Sequence, residues 1–145
     1  MIFYAAIDTN VIVSSMLKTN SIPGRIIDYI KNNTIIPLCN EEILNEYFEV
    51  LTRNKFDFEP KVIREIISLI KMKGIVLKRE QLLEDFIDKD DIVFFEIVMS
   101  ARNSLDAYLV TGNMRHYPVR SYVVTPREMI EIIEKENGPI QIDSK

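Results

Sequence analysis

Residues 107–113 read AYLVTGN, and residues 2–10 read IFYAAIDTN. In each, an apolar run breaks abruptly into a small polar turn: Val110 into Thr111-Gly112-Asn113, and Ile7 into Asp8-Thr9-Asn10. Uninterrupted apolar runs of this length suit strands buried on both faces, as in a parallel sheet covered by helices. In open α/β sheets, ligands sit beyond the carboxyl ends of the strands, where the strand order reverses. If these two strands are neighbours at that point, Asp8 and Asn113 face one crevice. The plainer alternative is that Asp8 caps the following helix and Gly112 permits a tight turn. On the pattern alone the plainer alternative is slightly favoured.

Outward from these stretches, helices and strands alternate. Val11 to Leu17 suits a short helix, and Ser21 caps a second one, with Pro23 in its first turn, running to about Asn33. Thr34 to Leu38 is a strand. Asn40, followed by Glu41 and Glu42, opens a helix whose Ile43, Leu44, Tyr47, Phe48 and Leu51 follow the i, i+3/i+4 spacing of one buried face. Pro60 opens another, through Val62, Ile63, Ile66, Ile67 and Ile70, stopped by Gly74, and Ile75 to Leu77 is a strand. Lys78 to Asp90 is ambiguous, with Leu82, Leu83 and Phe86 suggesting one helical turn. Asp91 begins a helix through Phe94, Phe95, Val98 and Met99. Tyr122 to Val124 is the last strand, and Pro126 starts a closing helix to about Glu136. This alternation predicts an α/β fold with a mostly parallel sheet. No repeat, linker or charge block divides it, so residues 1–136 form one domain and the tail, 137–145, is expected to fray.

Composition narrows the function. A chain of 145 residues, 47% apolar and 28% charged, fits one domain able to bury roughly two-thirds of its unfolded surface. The single Cys39 excludes a disulfide framework and a cysteine-based zinc site, and it suits a reducing compartment. No apolar run approaches the ~20 residues of a membrane span. The first ten residues carry no basic segment, and Asp8 would interrupt a signal core. A soluble, cytoplasmic protein with no membrane partner is expected. With 18 Lys and Arg against 22 Asp and Glu, the net charge of −4 argues against binding nucleic acid through bulk positive charge. An enzyme acting on nucleic acid stays open, because cations and a local basic rim can reverse the field at a site.

Further acids bear on that choice. Glu46 lies between Leu44 and Tyr47, so it flanks a buried stripe, whereas Glu42 and Glu49 read as solvated charges. In Asp88-Lys89-Asp90-Asp91, Asp91 falls at a helix start and shares a face with Val98, so it can border the core or simply cap the helix.

Taken together, AIDTNVIVSS (6–15), EEILNEYFEVLTR (41–53), DKDDIVFFEIV (88–98) and AYLVTGNMRHYP (107–118), in this order and spacing, resemble the PIN-domain family. Within it the branch of toxins from prokaryotic toxin–antitoxin systems is most similar, and the resemblance runs from about Ile2 to Ile133. It implies a three-layer α/β/α sandwich with a central, mainly five-stranded parallel sheet, and a metal-dependent ribonuclease with acids gathered at one edge of that sheet. Matched by motif, Asp8, Glu46 and Asp91 resemble the catalytic, metal-holding acids. Asn113 stands where the family often has a fourth Asp, a weaker ligand that leaves a second metal position open, and Thr111 resembles the Thr before it. Asp90 could replace Asp91 if the register shifts by one, with Glu96 and Asp106 in reserve. Thr9, Asn10 and Thr111 could orient a carboxylate or water. Arg102, Arg115 and His116, with Arg53 and Lys55, could form a rim holding the RNA backbone. His116 reads as a surface or phosphate contact rather than a general base. The resemblance further implies a single-stranded or structured RNA substrate, a cognate antitoxin and a homodimer.

Elementary electrostatics agrees with a metal. Two carboxylates about 4 Å apart repel by roughly 4 kcal/mol at an effective dielectric near 20, so a cluster implies raised pKa values or a bound cation. Oxygen ligands favour Mg²⁺ or Mn²⁺, and the implied chemistry is in-line attack of an activated water on a phosphodiester. Two enzyme rivals fail on named residues. A phosphoryl-accepting receiver needs an acidic pair after the first strand and a late Lys-Pro, but Thr9 and Asn10 follow Asp8, and Tyr117 precedes Pro118. An Asp-x-Asp phosphatase needs an acid where Asn10 stands. The remaining alternative is a non-catalytic PIN-like module that binds RNA or protein.

Overall fold

The computed structural model describes residues 1–79 and 89–139, and for Lys89 and Asp90 the backbone only. The ambiguous turn around Leu82, Leu83 and Phe86 and the last six residues lie outside the described residues. Five strands, β1 (Phe3–Ile7), β2 (Ile35–Cys39), β3 (Ile75–Val76), β4 (Ala107–Val110) and β5 (Val123–Val124), form one parallel sheet in the order β3-β2-β1-β4-β5. Six α-helices flank it: α1 (Thr9–Leu17), α2 (Ile22–Lys31), α3 (Glu41–Leu51), α4 (Pro60–Lys73), α5 (Lys89–Ala101) and α6 (Pro126–Asn137). This is the α/β sandwich expected.

The local signals explain most boundaries. Ser21 accepts from the Gly24 amide at 3.1 Å and Asn40 from the Ile43 amide at 2.8 Å, so both caps stand where the sequence put them. Thr125 and Glu128 add a reciprocal capping box to α6, with Pro126 at its first position. Helix α5 starts at Lys89, so Asp91 is its third residue and does not cap it. Helix α6 reaches Asn137, whose side chain bonds both the amino group and the carbonyl of Met1 at 3.0 Å.

The central strand carries the core. Ala5, Ala6 and Ile7 are fully buried, because α5 packs across β1, β2 and β4 while α2 and α4 cover β2. The small alanines allow this covering to approach closely. The chain runs outward from β1 to β2 and β3, then returns to β4 on the other side of β1. Strand order therefore reverses between β1 and β4, and Asp8 and Thr111 both stand at the crevice that this reversal opens. Among the described residues, no helix is long and apolar enough to cross a membrane.

Candidate active site

Asp8 occupies the residue before α1 in extended conformation but makes no side-chain capping bond. Its carboxylate turns into the crevice instead. There Oδ2 accepts from Thr111 Oγ1 at 2.7 Å, Asn10 Nδ2 at 3.0 Å and the Tyr117 hydroxyl at 3.1 Å. The capping alternative is thereby overturned: three donors within the fold outcompete the amides of the first helical turn. With only 4% of the residue exposed, burial pushes the Asp8 carboxyl above its ordinary value, against the downward pull of Thr111, Tyr117, the Thr9 amide and Asn10.

Asn10 ties the two polar turns together. Its Oδ1 accepts from the Gly112 amide at 2.9 Å, and a Cβ on Gly112 would lie 3.1 Å from that oxygen. Gly112 is not in the left-handed region, so it provides close approach and not an unusual turn. Thr111 Oγ1 accepts from the Asn113 amide at 3.0 Å while donating to Asp8, which fixes the path of the chain after β4.

The other two acids arrive on helices. The buried Tyr47 hydroxyl donates to the Ile7 carbonyl and pins α3 against the end of β1. One residue earlier, half-buried Glu46 faces α1, and its Oε2 accepts from Thr9 Oγ1. Asp91, in the first turn of α5, has Oδ2 3.1 Å from His116 Nδ1 and Oδ1 3.5 Å from the Tyr117 hydroxyl. One phenol thus spans Asp8 and Asp91. Burial first, then the charges of Asp8 and Asp91, push that phenol far above its ordinary value, so it remains a donor.

Asp8, Glu46 and Asp91 consequently line one cavity of about 380 Å³, together with Thr9, Asn10, Asn113, His116 and Arg53. His116 stands at this cavity's edge with its ring against Asp91 and 39% of its side chain exposed. Arg102 is not brought there. Its Nη1 donates to the carbonyl of Ala107 at 2.7 Å, its guanidinium lies 4.0 Å from the centroid of the Tyr122 ring, and it pairs with exposed Asp106. Both Arg102 and Asp106 therefore stand at the opposite end of β4. Arg115 is exposed on the short 3₁₀ turn Met114–His116 and does not line the cavity. The Asp90 side chain lies outside the described residues. Glu96, 1% exposed, is held by Arg79, whose Nε stands 2.8 Å from Oε1 and whose Nη1 reaches Glu42 at 2.7 Å. Glu42 meets that guanidinium from the solvent side and stays an exposed charge, 56% of its side chain accessible.

The donors facing the cavity are hard oxygens with a single imidazole nitrogen, the kind of set a divalent hard cation takes. Among the described residues no group of three or more His, Cys, Asp and Glu side chains is drawn together closely enough to hold a metal ion. The hydroxyls of Tyr117 and Thr9 occupy the carboxylates instead.

The PIN domain pattern matches residues 4–115, from β1 to the 3₁₀ turn. The chain belongs to the PIN domain family. PIN domains are in general nucleases, which fits acids gathered where the strand order of a parallel sheet reverses. This PIN domain is also similar to the uncharacterized protein MJ1680 of Methanocaldococcus jannaschii, 26% identical over 145 aligned positions that cover 89% of this chain and 90% of that one. No solved structure matches it.

Tyr117 is the site residue the sequence did not single out. A tyrosine beside a lone histidine carries no spacing signal, and its role depends on the 3₁₀ turn that swings it under Asp8. Tyr47 was visible only as one member of an apolar stripe, with nothing to mark its hydroxyl.

Proposed function

We propose that this PIN domain is a metal-dependent endoribonuclease, with Mg²⁺ or Mn²⁺ held by Asp8, Glu46 and Asp91 and by the Asn113 amide. The observation that carries this reading is that acids from three separate segments line one cavity at the strand-order reversal, where a cation would draw together carboxylates now bonded to the Thr9 and Tyr117 hydroxyls. A bound divalent cation there would supply an activated water and offset charge developing on the phosphodiester. The chain's own residues do the rest. Thr111 and Tyr117 fix the orientation of Asp8, Thr9 holds Glu46, and His116 with Tyr117 sets Asp91. Asn113 adds a neutral oxygen without a fourth charge.

The cellular role follows the family resemblance: a cytoplasmic toxin, dimeric, neutralised by a cognate antitoxin. Its net charge of −4 favours an antitoxin with a basic or hydrophobic docking segment. A second reading, an RNA- or protein-binding module without cleavage, is favoured by Asn113 in place of an acid. Cleavage of a labelled single-stranded RNA panel in Mn²⁺, in EDTA and with Asp8→Asn separates the two. Metal-dependent cutting lost in Asp8→Asn supports the nuclease, and cutting retained in that variant overturns the site assignment. A folded protein that binds no metal and cuts nothing leaves the binding module.

A further inference from the structure

The acid cavity holds one donor of a different chemistry from its oxygens. His116 is the only histidine in the chain, and the 3₁₀ turn Met114–His116 brings its ring to the cavity that Asn113 also lines. The turn is fixed at both ends. The His116 amide donates to the Asn113 carbonyl at 3.0 Å, and the following Tyr117 sends its hydroxyl to Asp8 and Asp91. His116, Asp91, Tyr117 and Asp8 therefore form one chain of polar contacts, none longer than 3.5 Å.

The first contact in that chain has the dimensions of a coordination edge. His116 Nδ1 lies 3.1 Å from Asp91 Oδ2. Two neighbouring donors bound to one octahedral cation at about 2.1 Å stand about 3 Å apart. A cation can take both atoms at their present separation once the hydrogen on Nδ1 passes to Nε2, the other tautomer of a neutral imidazole. Asp8 and Glu46 are bonded to the Tyr117 and Thr9 hydroxyls and must be recruited from them, whereas this pair already stands at ligand spacing.

Charge and donor chemistry favour the same assignment. With Asn113 uncharged, a nitrogen donor adds a ligand without adding to the repulsion among Asp8, Glu46 and Asp91. It also alters which cation is preferred. Carboxylates, carbonyls and water suit Mg²⁺, whereas imidazole favours transition metals, with affinity rising from Mn²⁺ through Fe²⁺ to Co²⁺.

We infer that His116 is a direct nitrogen ligand of the cation, beside Asp91, and that it makes this a site that prefers Mn²⁺ to Mg²⁺. The inference rests on the metal-dependent reading of the cavity, but its test does not require cleavage.

The experiment is pulsed electron paramagnetic resonance of Mn²⁺ bound to the untagged full chain. It is paired with Mn²⁺ and Mg²⁺ affinities by calorimetry for wild type, His116→Asn and Asp8→Asn. Because the chain has one histidine, imidazole nitrogen coupling on bound Mn²⁺ can come only from His116. Wild type is expected to show that coupling. His116→Asn, which offers an amide oxygen in place of Nδ1, is expected to lose it and to bind Mn²⁺ about tenfold more weakly. Its Mg²⁺ affinity is expected to stay as in wild type, so the preference collapses. Asp8-dependent Mn²⁺ binding without nitrogen coupling overturns this inference and leaves the metal-dependent reading standing. An Mn²⁺-to-Mg²⁺ preference unchanged in His116→Asn overturns it likewise. A folded wild type that binds no Mn²⁺ sinks both, as does Asp8→Asn that keeps full Mn²⁺ affinity and the nitrogen coupling, since the cation would then sit away from the acids.

Discussion

Asp8→Asn should make the protein more stable and less able to use metal, and the two effects can be read in one melting experiment. Asp8 is buried, and its carboxyl is raised because desolvation outweighs the hydrogen bonds from Thr111, Tyr117, the Thr9 amide and Asn10. A raised folded-state pKa means that ionised Asp8 opposes folding: the stability present below the unfolded value, about 3.9, is lost as pH rises through the folded value. An asparagine of the same shape removes that cost and keeps an oxygen for the three donors on Oδ2. Relief of one such buried charge is worth about 1 kcal/mol. For 145 residues the unfolding entropy is about 0.3 kcal/mol/K, so the variant should melt about 3 °C higher in EDTA at neutral pH. Its advantage should shrink as pH falls through the Asp8 ionisation. Adding Mn²⁺ at about 100 times its dissociation constant should stabilise the wild type by about 2.7 kcal/mol, or roughly 9 °C, with little gain in the variant. The order of the two melting temperatures should therefore invert on adding metal. A variant that melts lower than wild type in EDTA would refute the argument that burial burdens Asp8. Equal gains in Mn²⁺ would refute its assignment as a metal ligand.

Tyr117→Phe removes the hydroxyl shared by Asp8 and Asp91 while keeping the ring, and should weaken Mn²⁺ binding and cleavage by about 10- to 100-fold, measured by calorimetry and single-turnover cutting. Unchanged metal affinity would show that the phenol does not position the acids. Arg79→Ala takes the guanidinium away from the Glu96 carboxylate, 1% exposed, and since that partner is itself one-third exposed it should cost about 1–3 kcal/mol in urea unfolding, partly recovered by adding Glu96→Gln. A loss under about 1 kcal/mol would mean that Glu96 is held by other contacts. Asn113→Asp adds a fourth carboxylate to the cavity and should tighten Mn²⁺ by about tenfold, equivalent to about 1.4 kcal/mol, while lowering the melting temperature in EDTA through like-charge repulsion. Weaker metal binding would place position 113 away from the cation.

What the sequence disclosed and what it withheld divide along one physical line. Asp8 and Asn113 were conspicuous because a polar turn ending an apolar run is an anomaly that only a strand terminus explains, and the parallel sheet then brought Asp8 and Thr111 to one crevice. Glu46 flanked a helical stripe, but it was the likeness of its motif to the PIN-domain family that singled it out. Ser21 and Asn40 were legible as caps because their side chains bond amides only three residues away. Local chemistry of this sort is written in spacing. The phenols were not. Tyr47 and Tyr117 occupy positions that any large apolar ring would fill, and their hydroxyls matter only because packing delivers them to Ile7 and to the two carboxylates. Arg102 stands apart for the converse reason: its charge was visible, but the length of α5 carries it to the far end of β4, where it meets Ala107. The same logic bears on Asp91. The sequence placed it at a helix start, yet two residues of helix precede it, and from that first turn its carboxylate reaches His116 and Tyr117. An acid that caps is consumed locally, whereas Asp8 makes no capping bond and shares the Tyr117 hydroxyl with Asp91. That shared hydroxyl links the end of β1 to α5 across the crevice, a connection made by packing, which is why no spacing in the sequence marks it.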